Sequence, residues 1–193
     1  MTPQLVLGST SRYRRELLGR FGLPFRAVAP EVDESPLAGE TAPALVARLA
    51  EAKARAVAVG CPGALVVGSD QAASLDDAVL GKPGTVDAAR AQLRACSARV
   101  VEFHTAICVV DTRDGSVTRA QDCTRVAFRP LDEATIARYV DAEQPLDCAG
   151  SFKCEGLGIA LFERIEGIDP TALVGLPLIA LARLLRERGL QLP

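Results

Sequence analysis

Three short stretches gather the side chains able to handle a phosphate chain. In Gly8-Ser9-Thr10-Ser11-Arg12-Tyr13-Arg14-Arg15, three hydroxyls and three guanidiniums crowd the start of a predicted helix. Free backbone N–H groups and the helix dipole favour an anion there, whereas basic residues in a first turn oppose the dipole. A phosphate chain gripped bidentately by Arg14 would reverse that cost, and a plain N-cap followed by a solvated basic turn fits the same residues. Asp70 follows the apolar run Ala64–Val67, at the carboxyl end of a predicted strand, where open α/β sheets bind ligands. A carboxylate there orients water or holds a divalent cation, or it only caps a turn. Lys53 stands four and eight residues after Leu49 and Leu45, so its ammonium lies on an apolar stripe and must either snorkel or reach a site.

An acidic, proline-flanked loop carrying Glu31, Asp33 and Glu34 either is solvated or joins Asp70 around Mg²⁺, an ion held by one or two carboxylates plus substrate phosphates. Lys82 and Lys153 occupy glycine-flanked loops, where backbone approaches a ligand closely and where surface lysines are also common. Together these residues suit a metal-assisted phosphoanhydride site. Other chemistries fail on spacing. Gly81-Lys82 is followed by Pro83 rather than Ser or Thr, and position 76 is Asp, so there is no Walker A loop. No G-x-S-x-G elbow exists, and the sole histidine, His104, lies mid-strand and reads as a structural residue rather than a catalytic one.

The elements that must carry these residues alternate between strand and helix. Gln4–Gly8 reads as a buried strand that runs into a Ser9-Thr10-Ser11 cap and a helix ended by Gly22. Pro24–Ala29 is extended. Thr41 caps a helix with Pro43 in its first turn, continuing to about Val59. Ala64–Val67 is a second apolar strand that ends at Gly68-Ser69-Asp70-Gln71. A helix opened by Thr85 or Asp87 reaches about Ala95. Arg99–Val110 and Ser116–Phe128 flank Asp114-Gly115, a strong hairpin signal. Asp132–Asp141 is a helix, Ile159–Glu163 a short strand, and Leu176–Arg188 a terminal helix with apolar residues at 178, 181, 184 and 185. The class is α/β with an antiparallel hairpin.

Composition bounds the rest. The 193 residues are 49% hydrophobic and 24% charged, ordinary for a globular chain and against disorder. A chain this long removes roughly 70% of its unfolded surface from water, enough for an unaided core. With 22 Lys plus Arg against 24 Asp plus Glu, the net charge of −2 offers no global field for nucleic acid or an anionic membrane. No apolar run reaches the roughly 18 residues that span a bilayer, and no secretory signal opens the chain. Six cysteines without C-x-x-C spacing read as buried reduced thiols, which makes the cytoplasm the expected compartment.

The strings LVLGSTSRYRRELL, APEVDESP, EAKA, VVGSDQ, GKP, CAGSFKCEGLG and LVGLPL keep the order and spacing of the Maf family of nucleotide pyrophosphatases, and the chain resembles that family over almost its whole length. The resemblance implies one domain over residues 1–193, a mixed sheet flanked by helices with a cleft between two lobes, and frequent homodimers. It also implies hydrolysis of a nucleoside triphosphate to monophosphate and diphosphate with Mg²⁺ or Mn²⁺. It makes Asp70 the proton acceptor, sets Ser9, Arg14, Lys53 and Lys82 on the phosphates, and gives the metal to Glu34 and Asp70. Arg12 replaces the usual proline and Tyr13 the usual arginine. Tyr13, Gln71 and Glu155 resemble the subgroup acting on 7-methyl-GTP, whereas members acting on dTTP and UTP tend to have Arg, Thr and Gln there. The physics agrees, since cationic 7-methylguanine gains by stacking on Tyr13 and a carboxylate at Glu155 accepts from the guanine N1–H and N2–H₂ edge. The expectation is a cytoplasmic enzyme clearing modified nucleotides, with a link to cell-division arrest implied by the family alone. The alternatives are a dTTP/UTP pyrophosphatase of the same family and a non-enzymatic binding protein that inhibits septation.

Overall fold

The computed structural model describes residues 3–192. Seven strands and five α-helices follow in the order β1 (Gln4–Gly8), α1 (Arg12–Gly19), β2 (Phe25–Val28), α2 (Ala42–Ala58), β3 (Ala64–Leu75), β4 (Ala78–Leu80), α3 (Val86–Cys96), β5 (Val100–Asp111), β6 (Val117–Phe128), α4 (Glu133–Glu143), β7 (Phe162–Glu166) and α5 (Leu178–Glu187). The strands pair in the order β2-β1-β3-β5-β6-β7, with β4 added to β3. The sheet is mixed: β1 runs parallel to β2 and β3, whereas β4 and β7 pair antiparallel. This is the expected α/β class. Among the described residues no helix is long and apolar enough to cross a membrane.

The chain divides into two compact units, and the long strands β3, β5 and β6 contribute to both. The first holds the chain up to Gln71, Thr105–Asp122 and the residues from Asp169 onwards. Its core follows strand alternation. Leu5, Leu7, Leu65 and Val67 turn to one face and pack with Leu17 and Leu18 of α1 and with Leu181, Leu184 and Leu185 of α5. Each such leucine contributes about 1.5–3 kcal/mol relative to exposure. The helices start where the sequence caps them: Ser11 Oγ accepts from Arg14 N, and Thr41 Oγ1 from Ala44 N. The opposite face of β3 meets α2 so closely that a Cβ at Gly68 would overlap the carbonyl oxygen of Ala50 and stand 2.6 Å from Ala54 N. Only glycine permits this approach.

The second unit, Ala72–His104 and Cys123–Ile168, contains β4, α3, α4 and β7. Thr85 caps α3 and Asp132 caps α4, each accepting from the backbone N–H three residues on. Phe103, Phe128, Phe152 and Phe162 form its aromatic centre, with edge-on rings and centroids 4.7–5.7 Å apart, a geometry that adds to area burial.

Several sequence expectations shift. The strand holding Asp70 does not stop at Val67 but continues to Leu75. The segment expected as a strand over Ile159–Glu163 is a 3-10 turn (Leu157–Leu161) followed by β7. The reason is local, because Gly158 sits against the backbone of Lys153, which bends the chain before it can extend. The first helix ends at Gly19, ahead of Gly22, and the last begins at Leu178, after Pro177. β4 was not anticipated. None of the six cysteines is in a disulfide, but only Cys61, Cys96 and Cys108 are buried; Cys148 and Cys154 are half-buried and Cys123 is exposed.

Candidate functional site

Parallel pairing of β1 with β3 ends at Gly8 opposite Gly68. Ser69, Asp70 and Gln71 therefore run on past the carboxyl end of β1, beside the turn that carries Ser9 and leads into α1. Because the strand alternates, the three residues serve two faces. Asp70 continues the Gly68 face towards α2, where Lys53 waits one turn beyond the Ala50 contact. Ser69 and Gln71 continue the opposite face, that of α1 and the segment preceding α5.

On the α2 face, Lys53 Nζ donates to Asp70 Oδ1 at 2.6 Å and stands 3.0 Å from Glu34 Oε1. Lys53 and Asp70 are buried, with side chains 6% and 10% exposed, and Glu34 is 60% exposed. The lysine thus turns inward to Asp70 rather than snorkelling to solvent. Two carboxylates from distant segments, one buried and one largely exposed, meet at one ammonium. The acidic loop is fixed from behind: Arg48 forms a two-pronged pair with Glu40 and donates to Ser35 O. Of its three acids Glu34 is the one paired with the ammonium that Asp70 shares. Asp33 accepts from Ser35 N instead.

On the other face the carbonyl of Gly175 organises the cations and hydroxyls. It accepts from Arg14 Nε and from Ser69 Oγ, both at 2.9 Å. Gly175 has φ of +111°, which suits glycine and turns this carbonyl at the end of a 3-10 turn over Ala172–Val174. Burial pushes the Arg14 guanidinium below its usual pKa, and the charges of Asp70 and Glu34 act in the opposite sense. The bond to Gly175 O ties down Nε of Arg14. Ser9 is buried and its Oγ accepts from Ser11 N at 3.1 Å. Gln71 is oriented by chemistry: its Nε2 donates to Thr105 Oγ1 and to the carbonyls of Ala172 and Leu173 at 2.9–3.0 Å. Carbonyls only accept, so the amide can point only one way. Asp169, buried, accepts from Thr171 and from Ile179 N, which pins the segment that supplies these carbonyls.

Tyr13 is half-buried on α1, with the Arg12 guanidinium 4.6 Å from its ring centroid and donating to its Oη at 2.7 Å. The arginine that replaces the family proline thus begins the helix and leans on the aromatic ring. Lys82 and Glu155 belong to the second unit, and both are exposed. The loop of Lys82 is braced by Gln92 Nε2 to Gly81 O and Gly84 N to Leu146 O. Glu155 accepts from the Cys154 thiol at 3.2 Å, and burial pushes that thiol up to about 12. Lys153 is occupied by the carbonyl of Glu143. His104 is buried, 3.6 Å from Glu102, and desolvation holds its imidazole below the usual range. Thr105, Gly175 and Asp169 were missed by motif reading. The string containing Gly175 belonged to the resemblance, but nothing in it revealed that a main-chain oxygen does the holding.

A family model described as Maf-like protein matches residues 4–188. A protein of Xanthomonas campestris pv. campestris named 7-methyl-GTP pyrophosphatase is 60% identical over 193 residues, covering 100% of both chains. Proteins of the same name from Aromatoleum aromaticum and Burkholderia thailandensis are 58% and 57% identical, covering 98% and 97% of this chain and 98% and 88% of their own.

Proposed function

The chain belongs to the Maf-like family, and from that premise we propose that it is a nucleotide pyrophosphatase converting 7-methyl-GTP to 7-methyl-GMP and diphosphate. The observation that carries the chemistry is the buried Lys53–Asp70 pair with Glu34 on the same ammonium. In this reading Asp70 orients a water and takes its proton as the water oxygen bonds to the α-phosphorus. The bond from that phosphorus to the bridging oxygen breaks, and its electron pair leaves with diphosphate. Lys53 holds Asp70 aimed through its hydrogen bond to Oδ1. Arg14, anchored through Nε, turns its remaining N–H groups to the phosphates together with Ser9, and Lys82 adds a further positive charge.

Two carboxylates of which one is largely exposed are a fitting donor set for Mg²⁺ or Mn²⁺, ions that take few protein oxygens and complete their shell with phosphate and water. Glu34 and Asp70 would hold such an ion, which supplies charge neutralisation on the triphosphate. Base selection falls to Tyr13, Gln71 and Glu155. With Nε2 fully engaged, Gln71 reads a base through its carbonyl oxygen, so it calls for a donor. Glu155 calls for the two-donor edge of guanine. A pyrimidine offers no such two-donor edge, and each acceptor it leaves unpaired in the closed site costs roughly 1–3 kcal/mol.

The test is diphosphate release with Mg²⁺ or Mn²⁺ across 7-methyl-GTP, GTP, dTTP, UTP, CTP and ATP, with Asp70→Asn beside the native chain. Preference for 7-methyl-GTP, lost in Asp70→Asn, supports the reading. Preference for dTTP and UTP overturns the base assignment, and absence of all hydrolysis overturns the mechanism in favour of a septation-inhibiting binding protein. In the same reading residues 1–193 act as one domain, in the cytoplasm, as a homodimer with no nucleic-acid partner. Sedimentation of the purified chain checks the dimer.

A further inference from the structure

Away from the residues assigned to hydrolysis, the second unit brings three different ligand types together on the β5–β6 hairpin. Glu102, His104 and Cys123 offer a carboxylate oxygen, an imidazole nitrogen and a sulfur that all lie within 4.8 Å of one another. The placement follows from strand geometry. Glu102 and His104 are two apart on β5 and so share a face, with His104 Nε2 3.6 Å from Glu102 Oε2. Backbone bonds at the two ends of the hairpin, Asp111 N to Ser116 O and Phe128 N to Arg99 O, keep one register, and that register sets Cys123 on β6 opposite His104. The three differ in burial, with His104 buried, Glu102 half-buried and Cys123 exposed. A cation would therefore be held from beneath by the imidazole and remain open to solvent on the side of the thiol.

We propose that Glu102, His104 and Cys123 form a second metal site, for a borderline-soft divalent cation of the Zn²⁺ class, with three protein ligands and an open fourth position. The ligand set argues for this class. A thiolate with an imidazole selects Zn²⁺ over Mg²⁺ or Ca²⁺, which take oxygen shells, and three ligands plus water is the pattern of a Zn²⁺ centre that keeps a position open. Bonds of roughly 2.0–2.3 Å separate tetrahedral ligands by about 3.3–3.8 Å, against an observed spread within 4.8 Å. Cys123 binds as thiolate, its proton passing to solvent. One neighbour opposes the ion. Arg125 Nε stands 3.5 Å from Glu102 Oε1, competing for that carboxylate and adding positive charge. This site is independent of the hydrolase reading, because none of its ligands takes part in it.

The experiment titrates the chelator-stripped, reduced full-length chain with Zn²⁺ by calorimetry, and with Co²⁺ while recording the thiolate-to-cobalt charge-transfer band and the visible bands of four-coordinate cobalt. The expected result is one ion per chain, with the charge-transfer band present. Cys123→Ser, at an exposed position, should abolish that band and weaken Zn²⁺ binding by at least the roughly 10–100-fold seen for losing a mere ligand support. His104→Asn should weaken it similarly. Asp70→Asn should leave the band intact, which separates this site from the one assigned to Mg²⁺ or Mn²⁺. Arg125→Gln should tighten binding severalfold, a gain that misfolding cannot produce. The proposal is overturned by absence of a thiolate band in the folded native chain, by a band that survives Cys123→Ser, or by loss of the ion in Asp70→Asn.

Discussion

Replacing Lys53 by Met keeps most of the side-chain volume on the apolar stripe of α2 while removing the ammonium from Asp70. The carboxylate stays where it is, 7% exposed as a residue, at the end of a bond that measured 2.6 Å. Removing one member of a buried pair costs about 3–5 kcal/mol, chiefly because the other charge is left uncompensated. Glu34 adds little to this figure, since its exposed carboxylate rehydrates. For a chain of this length each kcal/mol moves the melting temperature by about 2–4 °C, so Lys53→Met should melt about 6–20 °C below the native protein. The decisive assay is a double-mutant cycle. Asp70→Asn removes the charge that Lys53→Met strands, so the double variant should be more stable than Lys53→Met alone, with a coupling of about 1–3 kcal/mol. Diphosphate release by Lys53→Met should fall by about 10²–10³, the range for losing one preorganised charge partner at a reacting centre. Denaturant unfolding in which the two single changes add to within about 0.5 kcal/mol would refute the reasoning, because the pair would then be adjacent without being coupled.

Gly68→Ala should destabilise the chain by about 1–3 kcal/mol and lower kcat. The new methyl meets backbone of α2 that cannot yield, and moving α2 moves Lys53; an unchanged melting curve with full activity would show that α2 is not held by this contact. Glu40 gives a pH signature. Its hydrogen bonds from Arg48, then from Leu37 N, lower its carboxyl from 4.5 to about 2. A depressed carboxylate contributes stability that is complete above its unfolded value and is lost as pH falls towards the folded one. The melting-temperature gap between native chain and Glu40→Gln should therefore be steady at neutral pH and close between about pH 4.5 and 2; a gap that persists at pH 2 contradicts the pairing. Thiol accessibility offers a further check. Cys123 should react first with a disulfide reagent, Cys148 and Cys154 slowly because burial holds both thiols up at about 12, and Cys61, Cys96 and Cys108 only on unfolding. Equal rates for Cys123 and Cys154 by mass mapping would count against that ordering.

Helix starts and the hairpin were legible because their signals are local. Thr41, Thr85 and Asp132 cap where their hydroxyl or carboxylate reaches a backbone N–H three residues away, and Asp-Gly at 114–115 turns the chain with Gly115 at φ +76°. The apolar positions of α5 at 178, 181, 184 and 185 are all buried. What escaped depends on contacts distant in sequence. Ser69-Asp70-Gln71 looks like a turn because its side chains are polar, yet it is strand, since partners from residues 53, 105 and 172–175 satisfy each of them. Whether Lys53 snorkels or reaches inward was undecidable from α2 alone, because the answer lies 17 residues later in the chain. Leu157–Leu161 carries the apolar residues of a strand, and only the close packing of Gly158 on Lys153 explains why it coils.

Asp70 and Gln71 share a peptide bond and face opposite ways. Under the proposed reading one does the chemistry and the other reads the base, so a single strand register is the switchboard for both tasks. An engineer seeking a new substrate can therefore change the side chain at 71 while leaving in place the Lys53–Asp70 bond, which lies on the other face. Insertions and deletions are another matter. One residue gained or lost anywhere between Ala64 and Asp70 would exchange the two faces, turning the amide towards Lys53 and the carboxylate towards a ring of carbonyls that would repel it. Under that reading, specificity at position 71 is open to point substitution and closed to changes of length in β3.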